Sequence, residues 1–210
     1  MRVVAINGSP HKEGNTYLAL RAFAEALEDA GIACRIIHVG HKSIRGCTAC
    51  GMCAKNKDEK CVLKDDLNDL IQELKDADGI VLGSPVYYAG IAGTMKCFCD
   101  RVFYVASANG HMFRHKVGAA VVAMRRSGGV ASFDQLNHYF TISEMPVAAA
   151  SYWNVVHGAA QGEALQDAEG MQTVRVSGEN MAWMLRLIEN GRDTVGEPPF
   201  SAGVKTNFVR

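Results

Sequence analysis

Short apolar runs alternate with amphipathic stretches along the chain. Four runs rich in β-branched and small apolar side chains predict strands at residues 3–6, 33–39, 79–82 and 116–124. A fifth strand is expected within residues 147–153. Because these runs are apolar at nearly every position rather than at alternate ones, they predict a parallel sheet that is covered on both faces.

The stretches between the strands repeat apolar residues at helical spacing. Helices are therefore predicted to begin near Thr16, after Asp65 or Asp66, near Met95, after Gly129 and near Met171. Five strands that alternate with helices fit a doubly wound α/β fold with three α/β/α layers and the strand order 2-1-3-4-5.

We expect residues 1–195 to form one domain, with a cysteine-rich insertion at residues 46–64. Residues 196–210 are expected to form an irregular C-terminal arm. In a doubly wound sheet, ligands bind beyond the carboxyl ends of the strands, beside strand 1. The loops after strands 1, 3 and 4 are therefore the segments in which a site is expected.

Residues 7–16 connect strand 1 directly to the first helix. This loop offers backbone N–H groups, the hydroxyls of Ser9 and Thr16 and the positive end of a helix dipole, which together can hold a phosphate. It lacks the G-x-G-x-x-G spacing of dinucleotide sites and the G-K-[ST] of nucleoside triphosphatases, so a monophosphate is the natural ligand. The alternative is a plain loop in which Ser or Thr caps the helix.

Two motifs in these loops resemble those of a known family. Residues 8–16 have the sequence G-S-P-x-x-x-G-N-T, and residues 83–88 have the sequence G-S-P-V-Y-Y, followed by K-x-F-x-D-R at residues 96–101. In this order the motifs resemble those of the flavodoxin-like NAD(P)H-dependent FMN reductases. The resemblance covers most of the chain and includes residues 206–210.

The resemblance implies a flavodoxin-like fold and noncovalently bound FMN. The residues that would hold its phosphate are Ser9, His11, Gly14, Asn15 and Thr16. The residues that would lie along its isoalloxazine ring are Pro85, Val86, Tyr87, Tyr88, Ala89 and Gly90. Backbone amides and flat side chains can hold the ring without placing a full charge against it. We also expect at least one of the two tyrosines to pack largely in the core.

The loop after strand 4 has the sequence R-R-S-G-G at residues 125–129. Gly128 and Gly129, beside Ser127, permit close approach of the backbone to the flavin edge. Arg125 would stabilise anionic reduced flavin or attract the phosphates of NAD(P)H. The alternative is an exposed arginine pair at the end of a strand.

Four of the seven cysteines lie in the insertion, at Cys47, Cys50, Cys53 and Cys61. The first three match the C-x2-C-x2-C spacing of bacterial ferredoxins, and the fourth would complete the ligands of a [4Fe–4S] cluster. Lys55, Lys57 and Lys60 would offset the negative charge of that cluster. The arrangement resembles the compact motif of iron–sulfur flavoproteins, a branch of the same group. The alternatives are a zinc site with four thiolates and a loop of reduced cysteines without metal.

Composition narrows the class of protein. The chain has 22 Lys and Arg and 22 Asp and Glu, so its formal charge is zero and no basic surface for nucleic acid is indicated. No apolar stretch approaches the roughly 20 residues of a transmembrane helix, and the first residues do not resemble a signal peptide. We therefore expect a cytoplasmic protein without a membrane or nucleic-acid partner.

The function expected from these features is hydride transfer from NADH or NADPH to FMN and then to a small acceptor, such as a flavin or quinone. Because the cofactor carries this chemistry, we predict no catalytic side chain. One alternative is an electron carrier that passes electrons between ferredoxin, a [4Fe–4S] cluster and FMN. A flavin-dependent redox sensor is another. Resemblance to dimeric or tetrameric relatives implies a homodimer or homotetramer, in which a neighbouring subunit completes the flavin face.

Overall fold

The computed structural model describes residues 1–201, 203, 204 and 206. The strands in this part of the chain are β1 (Arg2–Asn7), β2 (Ala33–His38), β3 (Gly79–Tyr87), β4 (Gly90–Ile91), β5 (Val117–Met124) and β6 (Val155–His157). The helices are α1 (Asn15–Asp29), α2 (Met52–Asn56), α3 (Leu67–Lys75), α4 (Gly93–Ala108), α5 (Gly129–Ile142) and α6 (Ala168–Gly191). A 3-10 helix at Glu163–Gln166 precedes α6.

Five strands form a parallel sheet in the order β2-β1-β3-β5-β6, and β4 pairs antiparallel with the end of β3. This is the predicted 2-1-3-4-5 order once the two-residue β4 is set apart as the return strand of a hairpin. The doubly wound prediction is therefore confirmed.

The central strands are buried on both faces, as their uniformly apolar sequences predict. Alternate side chains of β1 enter two separate cores: Val4 and Ile6 pack with α3, α4 and α5, whereas Val3 and Ala5 pack with α1 and α6. Each fully buried large apolar side chain in these cores contributes about 1.5–3 kcal/mol by removal from water. The two cores fix the helices on opposite sides of the sheet and complete the three layers.

The last strand of the sheet lies later in the chain than predicted. Instead of a strand within residues 147–153, the structure has one parallel bridge between Val147 and Gly118, and β6 begins only at Val155. The sheet edge is interrupted because the Asn154 side-chain Nδ2 donates to Ala120 O at 2.9 Å, a carbonyl that a continuous strand would pair through its backbone. The residues between Val147 and Asn154 are consequently free to leave the sheet.

Strand β3 is longer than predicted. It continues past residue 82 to Tyr87, where the chain turns into β4. The helices α1, α4 and α5 follow β1, the β3–β4 hairpin and β5, so their N-termini gather at the carboxyl edge of the sheet. At this edge, the connections that follow β1 and β3 run to opposite faces of the sheet. Doubly wound folds bind ligands at such a point.

The C-terminal segment packs near the opposite, amino-terminal edge of the sheet. Arg114, just before β5, donates from Nη2 to Pro198 O at 2.8 Å. The family resemblance noted above includes residues 206–210, of which residues 207–210 lie outside the described residues. Within the described part of the chain, no helix combines the length and apolar character needed to cross a membrane.

Candidate functional site

The loop after β1 is held in shape by its own polar groups. The backbone N–H of Ser9 donates to Asn7 Oδ1 at 3.0 Å, and Ser9 Oγ accepts from the N–H of His11 at 3.2 Å. Asn7 Nδ2 in turn donates to Lys12 O at 3.1 Å. Asn7 and Ser9 are buried, so the contact between these two residues is shielded from water. The loop is therefore organised by the chain itself, without a ligand.

Strand β2 braces the same loop from the side. His38 Nε2 lies 2.7 Å from Ser9 O, which is the satisfied structural role that a histidine at a strand end commonly has. Gly40 passes so close that a Cβ atom there would lie 2.0 Å from Ser9 O. Only glycine permits this approach, and it fixes the position of Ser9.

The N-terminus of α1 is free to receive an anion. Its N-cap, Gly14, has no side chain with which to cap the helix, and the first turn contains no acidic residue. The first N–H groups of this 15-residue helix and its dipole therefore favour a negative charge. Thr16 is buried in this turn, whereas His11 is exposed.

Asn15 makes contacts that its place in the sequence motif did not predict. Its side-chain amide donates to Ala160 O at 2.9 Å and accepts from the N–H groups of Gly162 at 3.0 Å and Ala164 at 3.2 Å. Asn15 thus anchors the segment after β6 beside the phosphate loop (residues 8–16). A direct contact of its side chain with phosphate stays a prediction.

The β3–β4 hairpin turns through two residues with left-handed backbone, Tyr88 at φ 49° and Ala89 at φ 60°. Both central residues of a type I′ turn need positive φ, and asparagine and glycine normally occupy these positions. Tyr88 is fully exposed and Tyr87 is half-exposed, so the expectation that at least one of them packs in the core was wrong. The turn presents both rings at the surface, at a cost in backbone strain.

Two polar side chains that the sequence did not single out brace this hairpin. Ser84 Oγ accepts from the N–H of Ala92 at 3.0 Å and donates to Pro85 O at 2.9 Å. Gln135 Oε1 on α5 accepts from the N–H of Ile91 at 3.0 Å. The serine of the second sequence motif is a detectable signal of this role, whereas Gln135 acts from a distant part of the chain.

The loop after β5 packs directly on the hairpin. Gly128 has φ 88°, and a Cβ atom there would lie 2.7 Å from Ala89 Cα and 3.0 Å from Val86 Cγ1. Gly129 is buried at the start of α5, whereas Arg125 and Ser127 are exposed. The two segments predicted to contact the flavin ring thus meet in the structure.

The phosphate loop joins the same surface through β3. The N–H of Gly8 donates to Gly83 O at 2.8 Å, immediately before Ser84 and Pro85. The loops after β1, β3 and β5 are therefore adjacent at the carboxyl edge of the sheet, as predicted for a ligand site.

Four cysteines that are separated in sequence line one pocket, which we call the four-cysteine pocket. Cys47 and Cys50 are exposed, Cys53 is buried and Cys61 is half-buried. The remaining lining residues are Thr48, Gly51, Val62, Leu63, Arg101, Tyr104 and Val105. The pocket lies between the cysteine-rich segment and the middle of α4.

Two asparagines tie the cysteine-rich segment to neighbouring helices. Asn68 on α3 accepts from the N–H of Cys61 at 2.8 Å and donates to Cys61 O at 3.0 Å. Asn109, at the end of α4, accepts from the N–H of Glu59 at 3.0 Å and donates to Cys53 O at 3.4 Å. The backbone around Cys53 and Cys61 is thus positioned by α3 and α4.

The backbone around Cys50 suits an anionic group. Ala49 at φ 52° and Gly51 at φ 69° flank this residue with left-handed conformations, which are typical of the N–H concavities that bind phosphates and iron–sulfur clusters. A backbone hydrogen bond from Met52 and the Thr48 hydroxyl lower the pKa of the Cys50 thiol, whereas burial raises the pKa of the Cys53 thiol. Of these two thiols, that of Cys50 therefore forms a thiolate more easily.

The four thiols share a pocket without converging on one point. Among the residues that the structure describes, no three His, Cys, Asp or Glu side chains form a group that could hold a single metal ion. A [4Fe–4S] cluster binds each thiolate through a different iron, so its ligands stand farther apart than those of one ion. Four thiols are the donor set that such a cluster takes, so the chemistry of the lining cysteines fits it.

Arg101 is the pocket residue that the sequence did not assign. It is almost fully buried and forms a two-pronged ion pair with Asp65, with Nη1–Oδ2 at 2.5 Å and Nη2–Oδ1 at 3.0 Å. The signal for it was present: Arg101 is a charged residue on the apolar face of α4, one turn from Phe98 and Val105. By contrast, Lys55 and Lys60 are exposed, and Lys57 donates to Ala108 O.

A family model described as NADPH-dependent FMN reductase matches residues 1–160. This chain belongs to that family. An iron–sulfur flavoprotein of Methanocaldococcus jannaschii is 35% identical over 196 residues, which cover 90% of this chain and 100% of the relative. The FMN reductase family, and within it the iron–sulfur flavoprotein branch, is therefore confirmed, and the chain is an FMN-dependent oxidoreductase.

Solved structures confirm the flavodoxin-like fold. The crystal structure of RosB with bound 8-demethyl-8-formylriboflavin-5′-phosphate aligns with a TM-score of 0.70 at 12% identity and covers 100% of this chain and 94% of that one. A flavodoxin from the domain Archaea aligns with a TM-score of 0.58 at 16% identity, over 89% of this chain and 99% of that one. At these identities the likeness establishes the fold of this family member.

Proposed function

We propose that this FMN-dependent oxidoreductase is an electron-transfer flavoprotein whose four-cysteine pocket holds a [4Fe–4S] cluster. The observation that carries the proposal is the gathering of Cys47, Cys50, Cys53 and Cys61 around one pocket. A cluster there would supply single electrons, and FMN would accept either single electrons or hydride. The iron–sulfur alternative drawn from the sequence is therefore preferred over direct reduction by NAD(P)H.

The chain's own residues would bind and orient FMN at the carboxyl edge of the sheet. The phosphate loop and the N-terminus of α1 would hold the phosphate, with Ser9, His11, Gly14 and Thr16 closest to it. The hairpin residues 85–90 and the loop at residues 125–129 would lie along the ring. Their contact at Gly128 supports this assignment, because it brings both segments to one surface.

A second candidate is direct hydride transfer from NADH or NADPH to FMN and then to a small acceptor. It is supported by the description of the family model and by Arg125 and Arg126, both exposed beside the hairpin. Exposed guanidinium groups suit the phosphates of a dinucleotide. The two candidates differ in the source of the electrons and share the FMN site.

The surroundings of the pocket suggest a partner for the first candidate. Residues 42–64 contain only two acidic residues, Asp58 and Glu59. The basic residues in this segment are Lys42, Arg45, Lys55, Lys57, Lys60 and Lys64. In a chain of zero formal charge, this local excess of positive charge favours an acidic electron-transfer protein such as ferredoxin as the partner.

We further propose a cytoplasmic homodimer or homotetramer, with residues 1–195 as one FMN-binding domain and residues 196–210 as an arm.

Anaerobic purification tests the proposal. The expected result is stoichiometric FMN together with about four iron atoms and acid-labile sulfide per chain, as a [4Fe–4S] cluster requires. Cys61→Ser should lose the iron and keep the FMN. The matched control is Cys34→Ser, because Cys34 lies on β2 outside the pocket and this variant should keep both.

Three outcomes would go against the proposal. FMN without iron, together with rapid oxidation of NADH or NADPH, would favour the second candidate. Tight FMN with neither iron nor turnover would indicate a redox sensor. A colourless protein whose melting temperature does not respond to added FMN would reject the FMN site itself.

A further inference from the structure

A buried guanidinium lies beside the four-cysteine pocket, and its known partners do not account for it. Arg101 is 1% exposed on the inner face of α4, and removing such a charge from water is costly unless it is paired. Its carboxylate partner, Asp65, is itself 27% exposed, so the carboxylate end of the pair reaches solvent while the guanidinium does not.

The hydrogen bonds of Arg101 are incomplete. Nη1 and Nη2 bind Asp65, and Nη1 also donates to Arg45 O at 3.3 Å. Nε is buried and has no hydrogen-bond partner in the described part of the chain. A buried, unpaired donor of a charged group is expensive and calls for an explanation, such as a bound ion or a redox role.

Arg101 borders the cysteines as well as Asp65. Arg101 lines the same pocket as the four cysteines. The guanidinium thus lies between the Asp65 carboxylate and a pocket lined by four thiols.

We propose that Arg101 sets the reduction potential of the iron–sulfur cluster, because its buried positive charge at the pocket opposes the negative charge of the reduced form. This inference rests on the proposed function, because it requires a cluster in the pocket. Reduction adds one electron, and therefore one negative charge, to the cluster. A fixed buried cation stabilises that form and raises the potential, since net charge and hydrogen bonds to sulfur are the main levers on it.

Asp65 has the opposite effect in the same network. Its carboxylate partly cancels the charge of Arg101 and holds the guanidinium in place. Neutralising Asp65 should therefore leave the cation less compensated and raise the potential, whereas neutralising Arg101 should lower it. The exposed lysines of the segment have less influence, because solvent and salt screen their charges.

Anaerobic redox titration of the reconstituted holoprotein tests this inference, with the cluster followed by electron paramagnetic resonance and the FMN by visible absorbance. Arg101→Gln should shift the one-electron equilibrium of the cluster toward the oxidised form at least tenfold, which corresponds to 59 mV for one electron. Arg101→Lys, which keeps the charge, should recover at least half of that shift. Asp65→Asn should shift the equilibrium the other way, and the FMN potential serves as an internal reference.

The signs of these shifts separate tuning from general damage to the fold. If Arg101→Gln fills its cluster but changes the equilibrium less than twofold, the inference is overturned. It is also overturned if Asp65→Asn shifts the potential in the same direction as Arg101→Gln. If Arg101→Gln does not fold, the sign of the shift in Asp65→Asn decides. A parent protein that binds FMN but no iron would instead reject the proposed cluster, and the inference with it.

Discussion

Backbone conformation at single residues shapes the candidate flavin site as much as side-chain chemistry does. Tyr88 and Ala89 both adopt positive φ although neither is a glycine. Gly128 has positive φ and also lies against Ala89, so it serves two needs at once. Strain of this kind is often found where a turn must present particular groups to a ligand.

Gly128→Ala should weaken FMN binding. The new Cβ atom would meet Ala89 Cα at 2.7 Å and push the loop away from the hairpin, so we expect the dissociation constant of FMN to rise at least tenfold. Quenching of FMN fluorescence measures it. Gly110→Ala is the matched control, because Gly110 has a similar φ of 84° with no atom within 4 Å of a Cβ. Equal losses of FMN affinity in both variants would contradict the steric explanation.

Ala89→Gly should stabilise the FMN-free protein against unfolding. A glycine adopts φ 60° without the cost of about 1–2 kcal/mol that a left-handed conformation imposes on other residues. We expect the free energy of unfolding in urea to rise by about 1 kcal/mol, while FMN affinity falls several-fold because the hairpin becomes more flexible. Ala92→Gly, at φ −55°, should instead destabilise the protein. An unchanged stability of Ala89→Gly would show that the hairpin is not strained.

At the scale of whole elements, α4 connects the two parts of the candidate site. It begins just after the β3–β4 hairpin, carries Arg101 near its middle and ends at Asn109, which ties down the cysteine-rich segment. The first residue of α4 and Arg101 are eight positions apart, which is about 12 Å along a helix. The ion pair of Arg101 with Asp65 also fixes α4 against the start of α3.

Because of the ion pair between Asp65 and Arg101, the free energy of unfolding should depend on pH. The hydrogen bond that Arg101 donates to Asp65 lowers the pKa of the Asp65 carboxyl, although burial opposes this effect. The carboxylate therefore adds stability above its unfolded pKa of about 4, and this stability is lost as the pH falls through the lower folded value.

Asp65→Asn should cost about 2 kcal/mol of unfolding free energy at pH 7, because it removes a charged hydrogen-bond acceptor from a buried cation. The loss should shrink below pH 4, as measured by urea unfolding across this range. The control is Asp66→Asn: Asp66 is 76% exposed, and its pair with Lys42 should contribute little. A constant difference between Asp65→Asn and the parent at every pH would refute the assignment.

At the scale of the whole molecule, exposed aromatic side chains suggest a surface that contacts another subunit. Tyr152 and Trp153 are exposed where the sheet edge is interrupted, and they stack edge to face at 4.6 Å. They lie at the end of the segment that leaves the sheet, just before Asn154, which is buried. Exposed aromatic rings of this kind are enriched in subunit contacts.

Trp153→Asp should reduce the oligomeric mass of the protein. The expected homodimer or homotetramer would lose the burial of a large ring and gain a charge at the contact. Sedimentation velocity at several concentrations measures the change. Trp183→Asp is the control, because Trp183 is similarly exposed but lies on α6 rather than in the segment between Val147 and Asn154. A parent protein that sediments as a monomer would refute the predicted assembly.

The sequence alone determined the layered fold and its strand order, and it predicted the segments that the fold brings together at the candidate site. Those features depend on local periodicity and on short motifs, which a single sequence displays. The start of β6 was missed because the carbonyl of Ala120 is taken by the side chain of Asn154, a contact between residues that are far apart in the chain. Asn15 was assigned to phosphate because its position suits that role, and its three contacts with the segment after β6 depend on tertiary packing.

Only the tertiary structure decided how the candidate residues meet. Cysteine spacing could not show that Cys61 shares a pocket with the other three cysteines, because α3 and α4 set that distance through Asn68 and Asn109. It also could not show that Arg101 lies buried among them. Burial, and the strength of a charge that follows from it, arise when distant segments exclude water together. Local sequence specifies each helix and strand, whereas that exclusion belongs to the folded molecule.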